Sequence, residues 1–369
     1  MPQRPGGSVP RTPAHPRACR SPFARLRGAL AAIGLAAAFA GCTPVTYLAQ
    51  AGAGQVEIGW KAEPIREVVK DRDTPPRLRR LLWSVAAIKR FGERHGLRPT
   101  DSYATYTALD RPVAAWVVSA CAPLAFEPKT WSFPVVGSVP YLGWFDEGRA
   151  RAFAADLRRE GWDVDVRGAA AYSTLGWFQD PVLSTMIPDG DEALGDLANT
   201  VLHESVHATF YVGGQSVLNE SVANFIGDRL AERWLAEESG ASAAERQAYQ
   251  EMNEKAARRA AAKQEAYRAL SRLYASARPA PEKLAEKRRV LAGLERAVEA
   301  KRPINNASLA QFKAYNAGMA ELEALLAACG QSFPRMLSAL QRLGPGDFAE
   351  PQQEDLRQVI LPLVRAGCR

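Results

Sequence analysis

Histidine is scarce in this 369-residue chain, with four in all, and cysteine is little commoner, with five. No two cysteines stand in a CxxC spacing and no His-rich or Cys-rich tract occurs, which excludes a disulfide scaffold and gives metal storage no support. Internal repeats are missing as well, so solenoids and propellers are excluded. The apolar stretch over residues 29–40 falls short of the roughly 20 residues that span a bilayer. Net charge is lacking once its origin is traced. The formal charge of +7 comes almost wholly from six arginines before Gly41, a segment with no acidic residue; setting them aside leaves 41 basic against 40 acidic side chains. A nucleic-acid-binding reading therefore has no electrostatic basis. What is present is an ordinary globular balance, 47% apolar and 24% charged, which excludes a disordered or collagen-like chain.

The first 41 residues are laid out as an export signal: an arginine-bearing start, an apolar stretch, then small residues. Their end, Phe39-Ala40-Gly41-Cys42, resembles a bacterial lipobox, which predicts lipidation of Cys42 after cleavage and attachment to a membrane. Thr43, rather than an aspartate, after the cysteine points to the periplasmic face of the outer membrane. Outside the cytoplasm, a disulfide among Cys121, Cys329 and Cys368 is permitted.

Residues 42–369 are predicted to form a single α+β domain, predominantly helical. Residues 72–235 would be its core with a small mixed or antiparallel sheet, 236–302 a charged helical hairpin and 303–369 closing helices. Thr46 to Gln50 starts a helix that Gly52, Gly54 and Gly59 are expected to interrupt. Thr74-Pro75-Pro76 followed by Leu78, Leu81, Leu82, Val85, Ile88 and Phe91 predicts a helix ending near Gly96. Residues 114–118, 132–141 and 162–166 read as extended, 146–160 as a helix, and 172–178 as a strand. From Glu232 to Lys301 the charges alternate in sign at helical spacing and no heptad persists, the pattern of a solvated hairpin broken at Pro279 and Pro281.

The chemistry is concentrated at His203-Glu204-Ser205-Val206-His207, inside a helix predicted over about 192–211. Positions i and i+4 share a helix face, so two imidazoles can reach one metal ion. Glu204 lies about 100° round from His203, placed to act as general base towards a water at the metal's open side. Of the three histidines after Gly41, two occupy these motif positions; His95 is expected at the surface. A catalytic zinc needs a third protein ligand and an open fourth position. Gly213-Gly214 reverses the chain and Asn219-Glu220-Ser221-Val222-Ala223-Asn224 begins a return helix, making Glu220 the candidate ligand. Asn224 and Asp228, one and two turns further, are candidates to hold the free N–H of a ligating histidine. Tyr172, Tyr211 and Tyr315 are candidates for stabilising the oxyanion. Asn305-Asn306, ahead of the helix carrying Tyr315, reads as an N-cap.

The NExxAN segment is similar to the glutamate helix of gluzincin metallopeptidases, with a shorter spacing from the histidines than in thermolysin-like members. Residues 171–186, the run from Leu197 to Glu204, Asn219-Glu220-Ser221, Phe133 to Gly137 with Tyr141, and the lipobox together resemble the bacterial putative-aminopeptidase lipoprotein family. That resemblance implies a zincin-like fold and one Zn2+ per chain held by His203, His207 and Glu220. It also implies Glu204 as base, and a peptide or protein substrate. The alternative is a lipid-anchored helical scaffold that keeps the fold without turnover; retention of Glu204 argues for the enzyme, since a structural zinc has no need of a base.

Overall fold

The computed structural model describes residues 43–133, 137–171 and 179–368. Contacts between Cα atoms divide the chain into Met1–Gln50 and a compact unit Ala51–Arg369. The fold is α+β and predominantly helical, with sheets of two or three strands. No helix among the described residues is long and apolar enough to cross a membrane.

The first helix, α1 (Thr43–Trp60), runs straight through Gly52, Gly54 and Gly59, against the sequence expectation. Gly54 shows why. A Cβ there would stand 2.1 Å from the Phe145 ring, so the glycine serves close packing, and this contact offsets the roughly 1 kcal/mol that glycine costs a helix. After β1 (Glu63–Pro64) and the short α2 (Ile65–Val68), α3 (Pro76–Arg94) buries Leu81, Leu82, Val85, Ile88 and Phe91. These residues form one stripe, as their spacing predicts. Gly96, at φ +93°, ends the segment in a conformation that side chains avoid. His95 departs from expectation: it is half-buried, with Nδ1 2.8 Å from Phe91 O and its ring against Phe91.

The sheets are small. In one, β2 (Thr105–Thr107) lies between β1 and β8 (Val182–Leu183), antiparallel to the first and parallel to the second. In another, β3 (Ala115–Cys121) lies between β6 (Leu142–Trp144) and β7 (Asp163–Ala169), antiparallel to both, with Val118 opposite Leu142 and Val166. Successive residues Val117 to Cys121 are all buried, so both faces of β3 are covered. Helix α4 (Glu147–Arg159) packs on this sheet, and its N-cap Asp146 accepts a 2.7 Å hydrogen bond from Arg149 N. A hairpin of β4 (Trp131–Phe133) and β5 (Gly137–Val139) is separate. Residues 134–136, and the strand expected over 172–178, lie outside the described residues.

The core is helical. In α5 (Ala193–Thr209), eleven residues are buried, among them Leu194, Leu197, Val201, Leu202 and Val206; α6 (Ser216–Glu237) buries thirteen, including Leu218, Val222, Ile226, Leu230 and Trp234. Helices apolar round most of their circumference belong inside, and these two pack on one another and on α3. Then come α7 (Ala243–Ala275) and α8 (Ala280–Ala297), which pack together, followed by α9 (Asn306–Asn316) against β3, β7 and α6. Asn305 caps α9 through a reciprocal bond with Ser308. Finally α10 (Met319–Ala328), α11 (Phe333–Leu340) and α12 (Arg357–Ala366) close the chain, and a disulfide joins Cys329 to Cys368. Cys121 is a free, buried thiol, and burial pushes its pKa up to about 12.

Candidate metal centre

His203 and His207 stand one turn apart on α5, and Glu220 faces them from the first turns of α6. The two Nε2 atoms are 3.2 Å apart. Glu220 Oε2 lies 3.6 Å from His203 Nε2 and 3.7 Å from His207 Nε2, and the side chains are 14%, 5% and 13% exposed. Three donor atoms from two helices thus converge on one point, the only such group of His, Cys, Asp and Glu among the described residues. Two imidazole nitrogens and a carboxylate oxygen are a donor set that suits zinc.

Electrostatics keep the carboxylate charged. Burial alone would raise the Glu220 pKa, but both imidazoles oppose it and hold the group well below the usual carboxylate range. For His203, burial pushes the other way from its neighbours. Glu220, Glu204 and Asp228 prevail and raise its pKa. Glu204 itself has a buried Oε2 with no hydrogen-bond partner, as has His207 Nδ1. Next in sequence to His203, Glu204 therefore keeps a buried carboxylate oxygen that no hydrogen bond satisfies, a costly arrangement in a folded interior.

The local sequence explains the convergence. Between the helices, Asn219 clips the connection. Its Nδ2 donates to Val212 O and its Oδ1 accepts from Val212 N, both at 2.9 Å, and the side chain is 2% exposed. This fixes the turn from which Glu220 projects. A second strap lies across the same turn: Gln352 N donates to Gly214 O, Ser216 N to Gln352 Oε1, and Gln353 N to Gln215 Oε1. Further along α6, Gly227 meets the backbone of His203 directly; a Cβ there would lie 3.2 Å from His203 N, Cα and Cβ. Glycine at this position lets the two helices approach closely enough for one carboxylate to reach both imidazoles.

The other sequence candidates fall out differently. Asp228 acts electrostatically on His203 and accepts a 2.5 Å hydrogen bond from Asn199 Nδ2, which also donates to the Tyr249 hydroxyl at 3.2 Å. Asn224 sits half-buried on α6, one turn after Glu220. Tyr211 is 44% exposed beside the site; burial and the Glu220 charge raise its pKa, so its hydroxyl keeps its proton. Tyr172 and Cys42 lie outside the described residues, as does the side chain of Tyr315.

Sequence reading missed several residues. Asn199 lies one turn before His203, so the same i, i+4 spacing that marks the ligands would have placed it on their face. Tyr103 had no such signal. It is a loop residue at φ +65°, 5% exposed, with its N–H bound to Asp180 O at 2.6 Å; burial first, then the charges of Glu204 and Asp180, push its pKa far up. Tyr103 is thus a buried tyrosine in the left-handed backbone region whose hydroxyl titration feels the charge of Glu204.

Comparison with known proteins adds one finding. A family profile described as "Putative aminopeptidase" matches residues 46–355. No curated protein and no solved structure matches the chain significantly.

Proposed function

The chain belongs to the putative aminopeptidase family, and from that premise we propose that it is a zinc-dependent metallopeptidase, an aminopeptidase with a zincin-like core tethered outside the cytoplasm as a lipoprotein. The observation that carries the reading is the convergence of His203, His207 and Glu220 beside the unpartnered carboxylate oxygen of Glu204. His203 Nε2, His207 Nε2 and a Glu220 oxygen would hold the ion. When bound, zinc supplies a Lewis acid that polarises the peptide carbonyl and makes water acidic enough to ionise near neutral pH.

The remaining work belongs to the chain. Glu204 Oε2 accepts a proton from the attacking water as its oxygen bonds to the carbonyl carbon, then delivers that proton to the amine nitrogen as the C–N bond breaks. Tyr211, kept protonated by burial and by Glu220, has a hydroxyl to donate to the carbonyl oxygen as charge develops there. Tyr103, likewise neutral, leaves Glu204 free of a competing negative charge. Asp228 supports the His203 imidazole electrostatically, and the Asn199 bond holds Asp228 in place.

Export rests on the N-terminal pattern: cleavage before Cys42, its lipidation, and retention at the periplasmic face of the outer membrane. The Cys329–Cys368 disulfide agrees with an oxidising compartment. The test is the zinc content and peptide hydrolysis of a chain beginning at Thr43. About one zinc per chain, lost in His203→Ala, is expected. Glu204→Gln should keep the zinc and lower hydrolysis by about 10²–10⁴-fold. Absence of zinc after exposure to the metal at neutral pH would leave the non-catalytic scaffold as the reading.

A further inference from the structure

A second concave site lies away from the histidines. Strand β7, helix α7, the α8–α9 connection and helix α9 border a half-open cavity of about 450 Å³, a size that accommodates a small organic ligand. Arg167, Arg259, Lys263, Lys301 and Arg302 line it against only two acidic residues, Asp165 and Glu299, an excess of three positive charges. Arg302 is committed to Asp165 Oδ1, and Arg259 lies 4.0 Å from Glu299. Lys263 has no carboxylate within salt-bridge distance among the described residues, and its ammonium sits 5.3 Å from the Phe312 ring centroid. Burial, then Arg302, Arg259 and Arg167, press its pKa down, with only Asp165 opposing.

Two buried polar atoms in the same wall lack partners. Asp165 is 4% exposed, yet its Oδ2 accepts nothing; Gln311 uses Oε1 to accept from Arg167 Nε at 2.8 Å, while its Nε2 donates to nothing. Buried groups of this kind are normally satisfied. A missing acceptor for Gln311, a missing donor for Asp165 and the net excess of positive side chains in the lining together describe the ligand's complement. A phosphomonoester carries about −1.5 to −2 charges near neutral pH and oxygens that accept from lysine, arginine and amide N–H groups. A hydroxyl beside the phosphate donates to the carboxylate, and the sides of Leu309 and Phe312 suit the carbon skeleton.

We propose that this cavity is a binding site for a hydroxyl-bearing phosphomonoester, a sugar phosphate either free in solution or displayed as a lipid headgroup. It is independent of the metal centre: none of its lining residues belongs to the zinc donor set. Lys263 and Arg259 engage the phosphate, Gln311 Nε2 one of its oxygens, and Asp165 Oδ2 the neighbouring hydroxyl.

The experiment titrates glucose 6-phosphate, inorganic phosphate and glucose into the full chain from Thr43 by calorimetry. In parallel it measures sedimentation with phosphatidylcholine vesicles with and without phosphatidylinositol 4-phosphate. Each is repeated with Lys263→Gln and with Arg259→Gln, whose side chain is 39% exposed. Glucose 6-phosphate binding that exceeds both glucose and phosphate, and that weakens about tenfold in each variant, supports a soluble ligand. Binding confined to phosphoinositide vesicles, with the same loss, supports the headgroup. No binding to either, binding unchanged in both variants, or inorganic phosphate binding as tightly as the sugar phosphate would overturn the proposal.

Discussion

Helices α5 and α6 and helices α7 and α8 follow one another in the chain, yet the first pair is buried round most of its surface, whereas α7 buries only Tyr249, Ala266, Tyr267, Leu270 and Leu273 of its 33 residues. Apolar contact and one glycine bring α5 and α6 together. The long hairpin has a smaller apolar cluster of its own, in which Tyr267, Leu270 and Leu273 meet Leu291, Leu294 and Leu309, and it is fastened at separate polar points as well. Lys287, 6% exposed, donates to Asp163 Oδ2 at 2.5 Å and to Pro123 O at 2.8 Å, and Asn306 N donates to the same Asp163 oxygen. Tyr267 donates to Glu354 and Tyr274 to Asn306. At the start of α7, Ser242 and Glu245 form a capping box that Arg80 also reaches. The difference teaches that helix content says little about how a helix is held. Clustered ionisable side chains such as His203, His207 and Glu220 need a desolvated frame that cannot shift, and the larger apolar pair supplies one; the more solvated hairpin is held by a small apolar cluster and a few charges.

Four substitutions would break or sharpen this contrast. The largest loss of stability is expected from Lys287→Met, which strands the Asp163 charge, at about 3–5 kcal/mol in urea unfolding. Faster amide exchange should be confined to α7 and α8, with zinc binding unchanged; loss of zinc would show the two regions to be one unit. Asn219→Ala leaves the Val212 N–H buried without a partner, while the Val212 carbonyl keeps only its bond from Gln215 N; this should cost about 1–3 kcal/mol and weaken zinc retention against a chelator. In Gly227→Ala the added methyl meets the His203 backbone, so about 1–3 kcal/mol should be lost as α5 and α6 part slightly. Zinc affinity should fall with it, while exchange in the hairpin stays as in the parent.

The smallest effect belongs to Glu245. The Arg80 hydrogen bond, against the opposition of burial and with help from Ser242, holds its pKa down to about 2 from 4.5. Its contribution is therefore complete above about pH 4.5 and is lost as the pH falls towards 2. Glu245→Gln should flatten that acid limb of the stability curve and cost less than about 1 kcal/mol at neutral pH, since Arg80 is half exposed. An unchanged acid limb would mean that the box contributes nothing to holding the hairpin.

Much of this was legible in the chain itself. The HExxH spacing, Glu220 after a Gly-Gly reversal, the apolar stripe of α3, the Asn305 cap and the alternating charges of the hairpin are all local patterns, and a helix converts sequence spacing into a face by geometry alone. The glycines of α1 were misread because propensity is a local quantity, whereas Gly54 is required by Phe145, 91 residues away in the chain. The pairing of Cys329 with Cys368, the placing of Tyr103 near Glu204, the close approach of Gly227 to His203 and the cationic cavity were decided by tertiary structure. The sequence by itself determined which side chains can bind a metal ion and which helices carry them. Packing alone decided how near those helices come and which distant charges surround them, because such distances depend on every side chain between the backbones and leave no periodic trace in the sequence.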